Sequence, residues 1–279
     1  MRILITGKNG FIARSFAHFM EEVKNHAIYT SPARSTRSVV EAAHKITSIS
    51  LRDDSWRNGS FCGYDAIIHT AGLVHKKETK DNEHDYFTIN RDLTFDVAKK
   101  AKADGVGQFV FLSSISVYGL IKGHIKTDTP TDPTSNYGRS KLAAESLIAG
   151  LADDSFKVAI LRLPMVYGQN IKGEPAPGNY AKLCKVVKHA PFFPDYDNAR
   201  DLIHIKILCI SIEGILEKGW DGILFPRDPD PISTRDLALA IAEDQGKNLP
   251  LTKILNWPIS LLMPIGIVSK LFGDLIIGD

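Results

Sequence analysis

Arg2-Ile3-Leu4-Ile5-Thr6-Gly7-Lys8-Asn9-Gly10-Phe11-Ile12-Ala13 opens the chain. Ile3, Leu4 and Ile5 form a short apolar run of the kind that builds a strand buried on both faces of a parallel sheet. Gly7 and Gly10 then punctuate a tight turn, and beyond Phe11 apolar residues recur at helical spacing through Phe16, Phe19, Met20 and Val23. A strand, a glycine turn and a helix in this order form a cradle for a pyrophosphate. Small residues let the backbone approach the anion, and the helix N-terminus offers free N–H groups and the positive end of its dipole. Gly7, Asn9, Gly10, Phe11 and Ile12 are the candidate cradle residues. Taken alone, the same pattern serves any strand-to-helix junction.

The chain repeats this alternation. Strand-like runs fall at 2–6, 27–30, 46–51, 66–69, 109–113 and 158–163, and helical stretches at 11–23, 85–103 and 137–151. The order predicts an α/β fold, a Rossmann-type doubly wound parallel sheet with ligands at the C-terminal ends of its strands. Residues 1–165 are expected to form the dinucleotide-binding domain. Residues 166–279 are expected to form a smaller substrate-binding lobe interleaved with the sheet, with helices near 179–188, 206–217 and 233–245, the last capped by Ser233 or Thr234.

Composition narrows the function. A net charge of +2 over 279 residues leaves no electrostatic footprint for nucleic acid. Cys62, Cys184 and Cys209 are scattered and lack metal-ligand spacing, which points to reduced thiols, no metal and a cytoplasmic setting. Lys76, Lys77 and Lys80, mixed with Glu78 and Asp81, read as a solvated loop. The stretch 254–277 is strongly apolar and near the length of a membrane span, but Pro258, Pro264, Lys270 and Asp274 interrupt it. Two short helices packed on the protein are expected there, with membrane contact or a partner surface as the alternative.

Tyr137 and Lys141 stand four residues apart in Asn136-Tyr137-Gly138-Arg139-Ser140-Lys141, so phenol and ammonium share one helix face. A neighbouring cation favours the phenolate and lowers a tyrosine pKa from its usual value of about 10. Such a hydroxyl is suited to general acid–base work.

These stretches together resemble the extended short-chain dehydrogenase/reductases, the NAD-dependent epimerase/dehydratase family. The resemblance is carried by Ile5 to Ala13, His69-Thr70-Ala71-Gly72, Asn90, Leu112-Ser113-Ser114-Ile115-Ser116-Val117-Tyr118-Gly119, Tyr137 to Lys141, Leu161-Arg162-Leu163-Pro164-Met165-Val166-Tyr167-Gly168 and Ala199-Arg200-Asp201-Leu202-Ile203-His204. It implies that Ser114, rather than Ser113, bonds the reacting sugar oxygen, that Tyr137 exchanges its proton, and that Lys141 tunes Tyr137 and binds the nicotinamide ribose. It further implies cofactor contacts at Ala71, Gly72, Asn90 and Pro164, with Asn179 and Arg200 on a nucleotide-sugar substrate. A bland role for Arg200 is an ion pair with Asp201 or a neighbour.

At the adenosine end, His26-Ala27-Ile28-Tyr29-Thr30-Ser31-Pro32-Ala33-Arg34 lacks the carboxylate that receives the ribose 2′-hydroxyl of NAD. Ser31, Arg34 and Arg37 suit a 2′-phosphate, so NADP is favoured over NAD. The expected reaction is reduction of a UDP-4-keto-6-deoxy-hexose in surface polysaccharide synthesis, with a nucleotide-sugar 4-epimerase as the alternative. A sterol-type dehydrogenase and a non-catalytic cofactor-binding protein are the readings from other classes. The resemblance also implies a homodimer through the helices at 85–103 and 137–151, and a C-terminus shorter than in relatives.

Overall fold

The computed structural model describes residues 1–23, 27–30, 51, 55–74, 76, 78–263 and 266–278. Its first half runs β1 (Arg2–Thr6), α1 (Phe11–Val23), β2 (Ala27–Thr30), α2 (Ser55–Asn58), β3 (Ala66–His69), α3 (Glu83–Phe87), α4 (Leu93–Ala103) and β4 (Gln108–Ser114). Then follow β5 (Gly123–Ile125), α5 (Asn136–Ala149), β6 (Lys157–Leu163), β7 (Met165–Tyr167), α6 (Asn179–His189), β8 (Phe193–Pro194) and β9 (Leu202–His204). The chain ends with α7 (Ile205–Lys218), β10 (Gly222–Leu224), α8 (Thr234–Asp244), β11 (Leu251–Thr252), α9 (Asn256–Leu262), α10 (Gly266–Phe272) and β12 (Leu275–Ile277).

Among the described residues, six parallel strands form the central sheet in the order β10-β6-β4-β3-β1-β2. The strands alternate sides, as their period of two requires. Ile3, Ile5, Ile68, Val110 and Leu161 enter one core with Phe16 and Met20 of α1 and Leu208, Ile212 and Ile215 of α7. Leu4, Ile67, Phe109, Phe111 and Ile160 enter the opposite core with Val97 of α4 and Ala144 and Ile148 of α5. Each large side chain so enclosed contributes roughly 1.5–3 kcal/mol. The expected strand at 46–51 lies outside the described residues except for Leu51, which packs against the second core.

Three two-stranded parallel pairs, β7 with β9, β8 with β11, and β5 with β12, lie beyond the main sheet. α6 packs against α8 and β7, and β5 and β12 form a small core with Val117 and Tyr118, while β10 joins the edge of the sheet and α7 packs against α1. Ser233 caps α8, its Oγ accepting from Asp236 N at 2.9 Å. The helix expected at 85–103 is interrupted by a π-turn at Thr88–Asp92, so α3 and α4 are joined through one wider turn. Residues 254–277 do hold two short helices, but these differ in burial. Phe272 of α10 packs on Phe193 and Tyr196 with ring centroids 6.3 and 5.7 Å apart, whereas α9 turns much of its apolar surface outward. Among the described residues, no helix is long and apolar enough to cross a membrane.

Candidate active site

α5 buries an unusual set of residues for a helix face: Asn136, Ser140, Lys141 and Glu145 beside Ala144 and Ile148. Polar groups so placed need partners, and the partners fix the site. At its N-terminus Ser135 Oγ accepts from Gly138 N at 3.0 Å. The Glu78 carboxylate accepts from the N–H groups of Asn136 (2.9 Å) and Tyr137 (3.1 Å), where the helix dipole favours an anion. Glu78 is exposed, as the solvated-loop reading expects, but it also anchors α5. Lys76 pairs with Asp85 at 2.8 Å, and Lys77 lies outside the described residues.

Gly138 allows α5 to lie against the 3-10 turn Ile115–Tyr118 that follows β4. A methyl group on it would come 2.6 Å from Ser116 O. This approach sets Tyr137 beside Ser114, whose hydroxyl favours the phenolate. Ser114 Oγ also accepts from Ser116 N at 3.2 Å and donates to Ser116 Oγ at 3.0 Å. Ser113 faces away and donates to Glu145 instead.

Lys141 Nζ donates to Leu112 O at 2.8 Å and sits 4.4 Å from the Phe111 ring centroid and 6.0 Å from that of Tyr137. Burial pushes the Lys141 ammonium down to about 7, opposed by the nearby Glu145 carboxylate. Burial also pushes the Tyr137 phenol up to about 12, with the Ser114 hydroxyl opposing it. The depressed phenol expected from the Tyr137/Lys141 spacing is therefore not found in this state. Enclosure disfavours the phenolate more than its neighbours support it.

Glu145 and Arg162, which the sequence reading did not single out, form a buried ion pair behind these residues. Arg162 donates to both Glu145 oxygens, the shortest bond being 2.7 Å, and to the Tyr118 hydroxyl at 2.7 Å. The signal was available: Tyr137, Lys141 and Glu145 recur at intervals of four on one helix face.

Asn90, fully buried in the π-turn, joins the two halves of the site. Its Nδ2 donates to Leu73 O and Ser140 Oγ, both at 3.0 Å, and its Oδ1 accepts from Leu73 N at 2.7 Å. Below it, Thr94 Oγ donates its one proton to Asn90 O at 2.8 Å, so the 3.1 Å contact to His69 Nε2 must be donated by the ring. His69 Nδ1 then accepts from Thr6 Oγ at 3.0 Å. Burial, with Lys141 nearby, lowers His69 to about 3 and keeps it neutral.

The residues present fit a dinucleotide. Gly7 has φ +77°, and a methyl group on it would come 2.7 Å from Thr70 Oγ and 2.9 Å from Ala71 N. The turn is therefore drawn against the loop after β3, and Thr70 Oγ donates to Thr6 O at 2.6 Å. Asn9 and Gly10 are exposed in the turn, and the first N–H groups of α1, from Phe11 and Ile12, have no acceptor within the helix. Gly72 follows Thr70 and Ala71 in the same loop. A methyl group there would come 3.1 Å from Asn90 Oδ1 and 3.5 Å from Lys141 Nζ. Pro164 is buried where β6 ends, next to Leu163, which pairs with Ser114. Ser31, Arg34 and Arg37 lie outside the described residues.

Asn179 and Arg200 do come together, with Met165, Leu202, Lys270 and Leu271, around a cavity of only about 20 Å³. The Arg200 guanidinium donates to Ser269 O at 3.3 Å and to Gly273 O, and Thr234 Oγ donates to Leu271 O. Arg200 forms no ion pair with Asp201, whose nearest cation is Arg227 at 3.9 Å. It instead terminates α10.

The sequence profile of the NAD dependent epimerase/dehydratase family matches residues 3–218. A UDP-glucose 4-epimerase from Vibrio cholerae is 27% identical over 259 residues, covering 87% of this chain and 76% of that protein. An N-acetyl-alpha-D-glucosaminyl-diphospho-ditrans,octacis-undecaprenol 4-epimerase from Escherichia coli O157:H7 is 28% identical over 240 residues, covering 82% and 70%. The crystal structure of a UDP-glucuronic acid 4-epimerase from Bacillus cereus in complex with NAD superposes with a TM-score of 0.73 at 19% identity, over 100% of this chain and 88% of that one.

Proposed function

We propose that this chain, which belongs to the NAD dependent epimerase/dehydratase family, oxidises and re-reduces a secondary alcohol, C4, on the sugar of a glycosyl diphosphate. The observation that carries the reading is that Lys141 reaches Leu112 O at the end of β4, with Ser114 following on that strand, Tyr137 one helical turn earlier and Gly72 close by, in the loop that the Gly7 turn packs against. A nicotinamide dinucleotide held along Gly7, Asn9, Gly10, Phe11, Ile12, Ala71, Gly72, Asn90 and Pro164 supplies removal and return of hydride. Ser114 holds the sugar oxygen, and Tyr137 takes its proton on oxidation and gives it back on reduction. Lys141 supplies positive charge beside the phenol and donors for the ribose hydroxyls. Asn179 and Arg200 receive the diphosphate once Arg200 leaves the α10 carbonyls, its fork of donors matching paired phosphate oxygens.

Epimerisation at C4 is supported by the two curated relatives named above, one acting on a nucleotide sugar and one on a sugar carried by polyprenyl diphosphate. Net reduction of a 4-keto sugar is a second reading. It is favoured by the absence of a carboxylate after Tyr29 and by Ser31 and Arg34, which suit NADP. One assay separates them: incubation with NAD, or with NADPH, and a panel of UDP-, dTDP- and polyprenyl-diphosphate-linked hexoses and 4-keto-hexoses. Interconversion of hydroxy epimers without net cofactor change establishes the epimerase. Stoichiometric loss of NADPH with a 4-keto sugar establishes the reductase. Turnover of no sugar diphosphate overturns both.

A further inference from the structure

α5 carries a second buried charge one turn beyond Lys141. Glu145 is 3% exposed and Lys141 4%, and residues four apart on a helix are neighbours on its surface. β4 holds both through consecutive residues. Lys141 Nζ donates to Leu112 O at 2.8 Å, and the next residue, Ser113, donates from Oγ to Glu145 Oε1. β6 closes the far side, where Arg162 stands opposite Ser113 in the parallel register. Arg162 donates through Nε and Nη2 to Glu145 Oε2 at 3.1 and 2.7 Å, and through Nη1 to the Tyr118 hydroxyl at 2.7 Å. The donors around Glu145 are those a carboxylate accepts from, and Arg162, not Lys141, takes its ion-pair bonds.

Stability alone does not call for this set. Replacing a buried ion pair by apolar side chains of like volume is often neutral or stabilising, and Ala144 and Ile148 of α5 already enter the same core. What apolar replacements would not supply is negative charge beside Lys141. The other groups facing the ammonium supply none. Its own helix gives Tyr137, with a ring centroid 6.0 Å away, and β4 gives the Phe111 ring at 4.4 Å. β3 gives His69, buried and neutral, α3 gives the phenol of Tyr86 near Tyr137, and β6 gives Arg162, a like charge. The π-turn and α4 pair their charges outside, Arg91 with Asp92 at 2.6 Å and Asp96 with Arg57 at 2.7 Å. Burial presses the Lys141 ammonium down to about 7, and Glu145 is the influence that opposes it. A further fall of one unit would cut the protonated share at neutral pH from about half to about a tenth.

We infer that Glu145 is a positioning residue for the chemistry at Tyr137: held by Ser113 and Arg162, it keeps Lys141 charged beside the phenol. The role rests on the reading of Tyr137 as the group that transfers the proton. Glu145 touches neither substrate nor dinucleotide and acts through Lys141.

The test is urea titration of the intact chain from about pH 5 to 10, each protein set against the same protein carrying Lys141→Met, so that the difference reads one lysine. For a lysine whose pKa is lower folded than unfolded, stability rises with pH between the two values, and the onset of the rise marks the folded one. The parent difference should begin to rise near pH 7. With Glu145→Gln the rise should begin at least about one unit lower. Glu145→Asp keeps the charge and should stay near the parent. If Glu145→Gln melts early, Glu145→Leu with Arg162→Met strands neither charge and carries the same expectation. Where a sugar diphosphate is turned over, the alkaline limb of kcat/KM should move down with the onset. An unmoved onset, with stability lost evenly across pH, makes Glu145 a structural residue only and overturns the proposal, as does an unmoved limb of kcat/KM. The urea curves need no substrate, so absence of turnover fails the proposed reaction while the curves still decide whether Glu145 holds the charge.

Discussion

The two ends of the cleft are built differently. Around Tyr137 the partners come from the sheet and its covering helices: Ser114 and Leu112 from β4, Asn90 from the π-turn, Glu78 from the loop after β3, and Arg162 from β6 behind Glu145. Around Arg200 they come from about seventy residues further along the chain, in the carbonyls of Ser269 and Gly273. The first end is fixed by the same contacts that hold the fold, so its geometry is set before substrate arrives. The second end is closed by the protein's own C-terminal segment. Engaging a diphosphate there requires Arg200 to exchange carbonyl oxygens for phosphate oxygens.

Substitutions can break this contrast from either side. Tyr137→Phe should give the largest effect, lowering turnover by about 10²–10⁴-fold while leaving dinucleotide affinity within a few-fold, because only the transferable proton is lost. Comparable turnover in single-turnover kinetics would remove Tyr137 from the chemistry. Arg162→Met strands the buried Glu145 carboxylate and should lower stability by about 3–5 kcal/mol in urea titrations, with much of that restored when Glu145→Leu is added. An additive double variant would show that the two residues act separately.

Arg200→Ala should weaken sugar-diphosphate binding by about 1.5–3 kcal/mol, the range for hydrogen bonds to charged groups, and leave dinucleotide binding nearly unchanged. The reverse pattern in calorimetry would place the diphosphate elsewhere. The smallest effect is in pH. Lys141 titrates near 7 in the fold and at about 10.5 when unfolded. Across that window the unfolded chain retains a proton that the folded chain has released, so stability should rise with pH. The slope should be up to about 1.4 kcal/mol per unit relative to Lys141→Met. Parallel curves for the two proteins in urea midpoints would mean that the ammonium keeps its proton inside the fold.

What could be read in the sequence was what is local. Arg2 to Ala13 announces a strand, turn and helix because the apolar run, the glycines and the helical period are contiguous. Tyr137 and Lys141 are visible because one helical turn separates them. Glu78 is exposed, as read, but its bonds to α5 were invisible because their partners stand 58 and 59 residues away. The closure over Arg200 was invisible for the same reason. β5, β7, β9, β10 and β12 have three residues each, too few to show a period. The helix expected at 85–103 is present, but its π-turn was not legible, because Asn90 is satisfied by Leu73 and Ser140 in space and no feature of its neighbours in sequence records that.

The hydrogen bonds through Thr6, His69, Thr94 and Asn90 have a direction as well as an order. With Thr94 donating upward to Asn90 O, His69 can carry its proton only on Nε2, and Thr6 can only donate to Nδ1. Reversing the row would require His69 to take up a second proton, which it resists until about pH 3. One tautomer of a neutral, buried imidazole thus braces β1, β3 and the π-turn against one another, a strut whose polarity is set by a threonine hydroxyl.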